Sequence, residues 1–518
     1  MTDYRLGIDV GGTNTDGVIL DSQLNCVAKI KSPTTIDVAQ GIHDAIDALL
    51  TISKIPADQI KYAMLGTTQC TNAIVERKGL CRVGHIRVCL PSGDSLPPLT
   101  GWPEGWSPYL GEHFYMVHGG LEFNGEEIAA INEQEIRDIC SKMIGEVESI
   151  SISGVFSTIK NDQEIAVSNI VKEIMPDVSI TLSHEIGMMG LLERENASIL
   201  NAALIPLAKK FTQGFADALD NFGLHAKPLF SQNDGTLIDQ SSIEAHPIVT
   251  IACGPTNSLR GGCHLSGLSD AIVIDVGGTT SDLGVLVDGY PRESSVSANV
   301  GGISTNFRMP DILAVGIGGG TVIKQNDDEV IIGPESVAFE LTQKGRVFGG
   351  DSLTLTDIAL RLERFRWQGE HNVNLDLVPR DLCEKVAKQL STDIDIAVDS
   401  IKTSDDNIPV ILVGGGSAIL DDHIQGASRV IRPKHFEVAN AIGVAIGKIG
   451  SNVEKIASTQ NSTRSDIFES LVNIAKKQAV LAGASEDSLT VISQSDIPLA
   501  YMVDESHHFK VRVVGDLN

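Results

Sequence analysis

None of the eight cysteines forms a Cys-x-x-Cys pair, so the sequence makes no case for a zinc ribbon or an iron–sulfur cluster. Scattered from Cys26 to Cys383, they read as buried, reduced thiols. No apolar run approaches the roughly 20 residues that span a bilayer, which excludes a membrane helix. Basic residues are few, 40 Lys and Arg against 67 Asp and Glu, for a net charge of −27. That balance would repel a phosphate backbone and excludes non-specific nucleic-acid binding. No charged-then-apolar leader precedes the first strand signal, and the expected location is the cytoplasm. The remaining composition, 42% apolar and 21% charged over 518 residues, is that of a soluble chain with room for two or three domains.

Glycine is what the chain has in quantity, 50 residues, many in tight clusters. Two clusters are near copies. Gly7-Ile8-Asp9-Val10-Gly11-Gly12-Thr13-Asn14-Thr15-Asp16 recurs as Ile274-Asp275-Val276-Gly277-Gly278-Thr279-Thr280-Ser281-Asp282. Each copy sits between two β-like apolar runs and predicts a hairpin whose tip exposes backbone N–H groups and hydroxyls. Such a tip is a phosphate cradle, with a carboxylate placed for a metal. Two copies predict two cradles facing each other across a cleft.

Strand and helix signals alternate through residues 1–90, with an amphipathic helix from Asp37 to Leu50 that puts Ile42, Ala45, Ile46, Leu49 and Leu50 on one face. The strand Ile60 to Gly66 runs into a polar turn, Thr67 to Asn72, and a helix from Ala73. Residues 91–125, rich in Pro, Gly and Trp, read as an insertion or lid-like loop. Strands are expected near Ser149 to Val155 and Val178 to Leu182. A long helix is expected from Leu191 into Asp220, kinked or restarted at Pro206. Later come a glycine turn at Gly316–Gly320, a buried strand ending in Gly414-Gly415-Gly416 ahead of a helix, and a small-residue helix at Asn440–Gly447. The expected division is an N-terminal domain over 1–200, a second over 201–450 and a small α+β appendage over 451–518.

Two phosphate hairpins, a late strand–Gly-Gly-Gly–helix and small-residue crossing helices resemble the actin-like ATPase fold, an α/β class of two ribonuclease-H-like domains around a cleft. Within it, Asp275–Asp282 is similar to the Asp-Met-Gly-Gly-Thr-Ser-x-Asp signature of the hydantoinase/oxoprolinase A family. Val315–Thr321 followed by Val330–Ser336, Leu353-Thr354-Leu355-Thr356-Asp357, and Ser183–Gly187 with Leu192–Ala197 also resemble that family. Two places depart from it: Gly254-Pro255-Thr256-Asn257-Ser258 stands where the family carries Gly-Pro-Ala-Gly-Gly, and Phe339-Glu340-Leu341-Thr342 replaces Pro-Gly-Pro-x-x-Tyr.

The resemblance implies ATP and Mg²⁺ as cofactors and a cyclic amide (a hydantoin, 5-oxoproline or a related lactam) as substrate. ATP would phosphorylate the carbonyl oxygen, giving an activated imidate that water opens. It further implies a B-type partner subunit, with homo-oligomerisation open. Alternatives are an ATP-dependent ketone carboxylase subunit, a sugar kinase, and an ATPase switch that remodels a partner protein. Gly11, Gly12, Thr13 and Asn14 would hold one end of the polyphosphate and Gly277, Gly278, Thr279 and Thr280 the other. Asp9 and Asp275 would flank the metal. Asp16 and Asp282 either orient the nucleophile or the metal's waters, or cap their turns. Gly414, Gly415 and Gly416 either face adenosine or only start a helix. Thr67, Thr68, Gln69, Thr71 and Asn72 either see substrate or cap their helix. The same choice between a ligand role and a structural one stands for His118, His184, Glu185, Glu193, Arg194, Glu195 and the turn Gly318–Gly320.

Overall fold

The computed structural model describes residues 3–518 except 36, 295–297, 327, 328, 461 and 500–504. Two sheets repeat one plan. In the first, the antiparallel run Cys26–Pro33, Asn14–Leu20, Tyr4–Val10 continues into the parallel strands Ile60–Thr67 and Lys227–Ser231. In the second, Tyr290–Pro291, Ser281–Val287 and Ala271–Val276 continue into the parallel strands Ile408–Val413 and Ala427–Ile431. Both therefore read 3-2-1-4-5 across the sheet, the order of a ribonuclease-H-like domain. The 3.6-residue and two-residue periods that mark these elements in the sequence become their buried faces. Thus Ile42, Ala45, Ile46 and Leu49 of the helix Val38–Ser53 pack into the first core, behind an Asp37 side chain that accepts from the Ala39 N–H.

The second sheet differs in its third strand, which is split. Ile312–Val315 also pairs with Ser281–Val287 and sets Ala314 opposite Asp282. The intact third strand of the first sheet sets Lys31 opposite Asp16.

The first sheet grows to nine strands. Beyond Lys227–Ser231 lie Leu237–Asp239, Ile449–Ser458, Ser506–Gly515 and Thr490–Pro498. The C-terminal α+β appendage is thus continuous with the first sheet, its helix Arg464–Ala482 burying Ile467, Leu471, Ala475 and Ala479 against those strands. One of its strands, Ile449–Ser458, precedes the helix and the other two follow it.

Residues 83–182 build a separate parallel sheet of Phe114–His118, Val83–Leu90, Ser149–Gly154 and Ser179–Leu182. Within the segment 91–125, Trp106 is buried in the first core and Trp102 donates its indole N–H to Asn196 Oδ1 at 2.6 Å. The segment is therefore anchored to the long helix Leu191–Asn221.

That helix runs unbroken through Pro206. Proline cannot donate to the carbonyl four residues back. The freed Ala202 carbonyl instead accepts the Ser149 hydroxyl at 2.7 Å, so a neighbouring strand makes up the missing bond. All eight cysteines are free thiols. No helix among the described residues is long and apolar enough to cross a membrane.

Candidate active site

The strand Tyr4–Val10 carries Asp9 at its end and the following strand carries Asp16 directly opposite; Asp275 and Asp282 are paired in the same way in the second hairpin. Opposed residues of an antiparallel pair project on one face. Each hairpin therefore presents two carboxylates side by side beneath its glycine turn.

Two short helices bring the hairpins together. Cys253–Ser266 crosses Ala439–Ala445 so closely that a Cβ on Gly443 would collide with the Asn257 carbonyl, and one on Gly261 with the Ala439 carbonyl. Only glycine permits that approach. The crossing delivers three polar side chains to the carboxylates. Asn257 donates its amide to Asp9 Oδ1 at 3.0 Å. The next residue, Ser258, lies beside Asp275 and draws its carboxyl down against the effect of burial. From the other helix Asn440 donates to Asp9 Oδ2 at 2.9 Å and to Asp16 Oδ2 at 2.7 Å. Lys31 completes the cluster, its ammonium 2.8 and 2.9 Å from the two oxygens of Asp16.

Burial governs the charge state. It pushes Asp9 up to about 7, helped by the charges of Asp16 and Asp275 and opposed by the two asparagine amides. Asp282 is also pushed up to about 7, by burial and then by Asp275. Asp16 and Asp275 are raised by burial as well, although Lys31 pulls both down. Carboxylates so crowded and dehydrated would be stabilised by a cation placed among them. No group of three His, Cys, Asp or Glu side chains able to hold a metal occurs among the described residues. A divalent ion between Asp9 and Asp275 would take its other ligands from water and phosphate, as magnesium commonly does.

The hairpin tips are braced differently. Gly11 and Gly277 turn their own N–H groups inward, onto the carbonyls of Asn14 and Thr280 at 3.0 and 2.9 Å. The N–H groups of Gly12, Thr13, Gly278 and Thr279 donate to no other group among the described residues. Behind the first tip, the Thr34 hydroxyl donates to the Gly11 carbonyl at 2.8 Å and the Thr68 N–H to Val10. Behind the second, main chain does this work: Gly319, Gly320 and Gly416 donate to the carbonyls of Gly277, Gly278 and Val276 at 3.0, 2.7 and 2.8 Å. The turn Gly318–Gly320 is thus a support for the second cradle. Gly414, at φ +83°, lies against the Asp275 carboxylate where any Cβ would collide, and the glycines lead into a 3-10 turn, Ser417–Ile419.

Other sequence candidates lie in internal ties. Glu195 is fully buried and accepts from His85 at 2.8 Å and from Arg87 at 2.6 and 2.5 Å; burial would raise it, but these partners hold it at about 2. Arg194 donates to Ser183 and to the carbonyls of Met188 and Gly154. His184 pairs with Glu164 at 2.6 Å, Glu185 lies 3.6 Å from His246, and His118 lies 3.1 Å from Glu135. Thr67 accepts the Gln69 N–H and Thr71 the Ala252 N–H, and the helix after this turn begins at Gln69, four residues earlier than expected, with no side-chain bond from its N-cap Thr68.

Lys31, Asn257, Ser258 and Asn440 escaped the sequence reading as site residues. The one available signal was at Asn257 and Ser258, which fall where the motif departs from the family pattern.

Residues 5–175 match the family model described as hydantoinase/oxoprolinase N-terminal region, and residues 194–409 the one described as hydantoinase/oxoprolinase. Among curated relatives, an uncharacterized protein of Methanocaldococcus jannaschii is 27% identical over 77% of this chain and 62% of its own length. Caprolactamase subunit alpha of Pseudomonas jessenii is 26% identical over 69% and 54%, and 5-oxoprolinase of Saccharomyces cerevisiae 26% over 70% and 32%. The chain thus spans less than two thirds of the length of these relatives. Among solved structures, the ATP-dependent caprolactamase from Pseudomonas jessenii superposes with a TM-score of 0.80 at 18% identity, covering 99% of this chain and 88% of that one. A nucleotide-free acetone carboxylase superposes with 0.72 at 17%, covering 100% and 88%. These two likenesses bear on the fold. With both family models matched in order across the two repeated sheets, the chain belongs to the hydantoinase/oxoprolinase family.

Proposed function

We propose that the chain is the ATP-using part of an enzyme that activates a cyclic amide for ring opening. The observation that carries this reading is the meeting of the two hairpins: one helix places Asn257, hydrogen-bonded to Asp9, next to Ser258, which acts on Asp275, and the charge of Asp275 is felt at Asp9. A lactam nitrogen is a poor leaving group, and bound ATP with magnesium would supply the phosphoryl group that makes the carbonyl carbon reactive. Asp9 and Asp275 would hold the metal's water shell. The outward N–H groups of Gly12, Thr13, Gly278 and Thr279 would cradle phosphate oxygens. Asn257 and Asn440 would keep Asp9 aimed while its charge is used. Gly414–Gly416, fixed against the second hairpin, would border adenosine.

Relatives named caprolactamase and 5-oxoprolinase support a cyclic amide over other acceptors. A ketone-carboxylase subunit is the second reading. It is favoured by the acetone carboxylase fold and by 24% identity to the acetophenone carboxylase gamma subunit of Aromatoleum aromaticum. Because the relatives are longer and two are named as subunits, a partner chain belongs to the proposal. Phosphate release from ATP, measured with a B-type partner and a panel of caprolactam, 5-oxoproline, hydantoin and acetone, tests it. Stimulation by a lactam supports the first reading and stimulation by acetone the second. Release that follows the partner alone overturns both in favour of an ATPase switch.

A further inference from the structure

We propose that Lys31 is a mobile reader of the nucleotide's terminal phosphates, parked on Asp16 until a di- or triphosphate draws it away. The inference rests on the nucleotide reading above and deepens it.

Four observations lead to it. Among the described residues Lys31 is the cation that bonds into the carboxylate cluster, and its charge acts on both Asp16 and Asp275, one from each hairpin. Its stem lies against the Gly414–Gly416 turn, 3.5 Å from the Cβ position of Gly415, and its ammonium is 3.3 Å from the Glu437 carbonyl. The side chain therefore already spans from the first sheet to the second. It is also the accessible member of its pair, one third exposed where Asp16 is 3% exposed. Finally, Asp16 also accepts the Asn440 amide at 2.7 Å, a partner that does not depend on Lys31, so a departing lysine need not strand a buried carboxylate. Among the described residues the second hairpin has no equivalent, and Ala314 stands at the matching place. A polyphosphate entering between four carboxylates meets strong repulsion, and a lysine able to change partners offsets it.

The test is nucleotide affinity, read by isothermal titration of the full chain with Mg-ATP, Mg-ADP and AMP. Lys31→Ala is expected to weaken ATP about tenfold or more, ADP less, and AMP by less than about twofold. Lys31→Arg should recover part of the ATP affinity, since charge returns without the same geometry. Asp16→Asn, which releases the lysine from its parking partner, should tighten ATP while leaving AMP unchanged. Thermal melts without nucleotide separate a merely structural pair. If Lys31→Ala lowers the melting temperature, Asp16→Asn in the same chain restores it, and ATP affinity never moves, the proposal is overturned. If Lys31→Ala does not fold, the Lys31→Arg and Asp16→Asn affinities decide it by the same criterion. Wild-type protein that binds no nucleotide would overturn the ATP reading and this inference with it. Wild-type binding with three unchanged affinities in Lys31→Ala sinks this inference alone.

Discussion

Asp16 faces Lys31 across its strand pair, and Asp282 faces Ala314 at the corresponding place in the second sheet. The two hairpins otherwise share their turn sequence, their paired aspartates and their strand order. Their supports diverge in the same sense. Around the first hairpin the restraints on the carboxylates are side chains, Asn257, Asn440 and Lys31, which can change partners. Around the second, no hydrogen bond reaches the Asp282 carboxylate among the described residues, and the turn beside it is held by three glycine N–H groups bonded to the carbonyls of Val276, Gly277 and Gly278. A duplicated motif has become one adaptable half and one fixed half.

The comparison breaks most completely if either Asp9 or Asp275 is dispensable. Asp9→Asn and Asp275→Asn are each expected to lower ATP turnover roughly a hundredfold to a thousandfold, measured as phosphate release. Next in size is the crossing that aligns the halves. Gly443→Ala forces a methyl onto the Asn257 carbonyl and should cost about 3 kcal/mol in urea unfolding. An alanine tolerated there would mean that the helices do not meet so closely.

A smaller effect sharpens the contrast. Asp282 has its folded value raised from 3.8 to about 7, so its contribution to stability is complete below about pH 4 and is lost as pH rises through 7. Asp282→Asn should therefore stabilise the nucleotide-free chain at pH 8 by on the order of 1 kcal/mol and leave it unchanged at pH 4. Asp9→Asn should do the opposite at pH 8. Asp9 accepts from two amides, and an asparagine there points its own N–H₂ at one of those donors. Smallest is Ala314→Lys, which copies the Lys31 arrangement into the second hairpin. It should lower the Asp282 pKa, seen by NMR titration, and change stability by a few tenths of a kcal/mol.

Much of this organisation was legible in the sequence. The hairpins, the helix beginning after Asp37 and the long helix from Leu191 follow from local period and turn chemistry. What binds the site together does not. Asn257 reaches Asp9 across 248 positions and Asn440 across 431, and contacts at such separation leave no periodic trace. Lys31 belongs to an edge strand and reads there as ordinary surface charge; only the register with Asp16 gives it meaning. Glu195 illustrates the converse. Its place among Glu193 and Arg194 suggested a site, yet its carboxylate is taken up by a hydrogen bond with His85 and an ion pair with Arg87 beneath the four-stranded sheet. The C-terminal strands could be foreseen as strands. Their pairing beyond Leu237–Asp239 could not, since strand order is a tertiary choice.

The adjacency of Asn257 and Ser258 has a mechanical corollary. Neighbours on a helix point about 100° apart, so one turn of backbone works like a rocker with a fingertip on each hairpin. A displacement of Cys253–Ser266 would therefore be felt at both carboxylates at once, and the glycine contact with Ala439–Ala445 leaves little room for one.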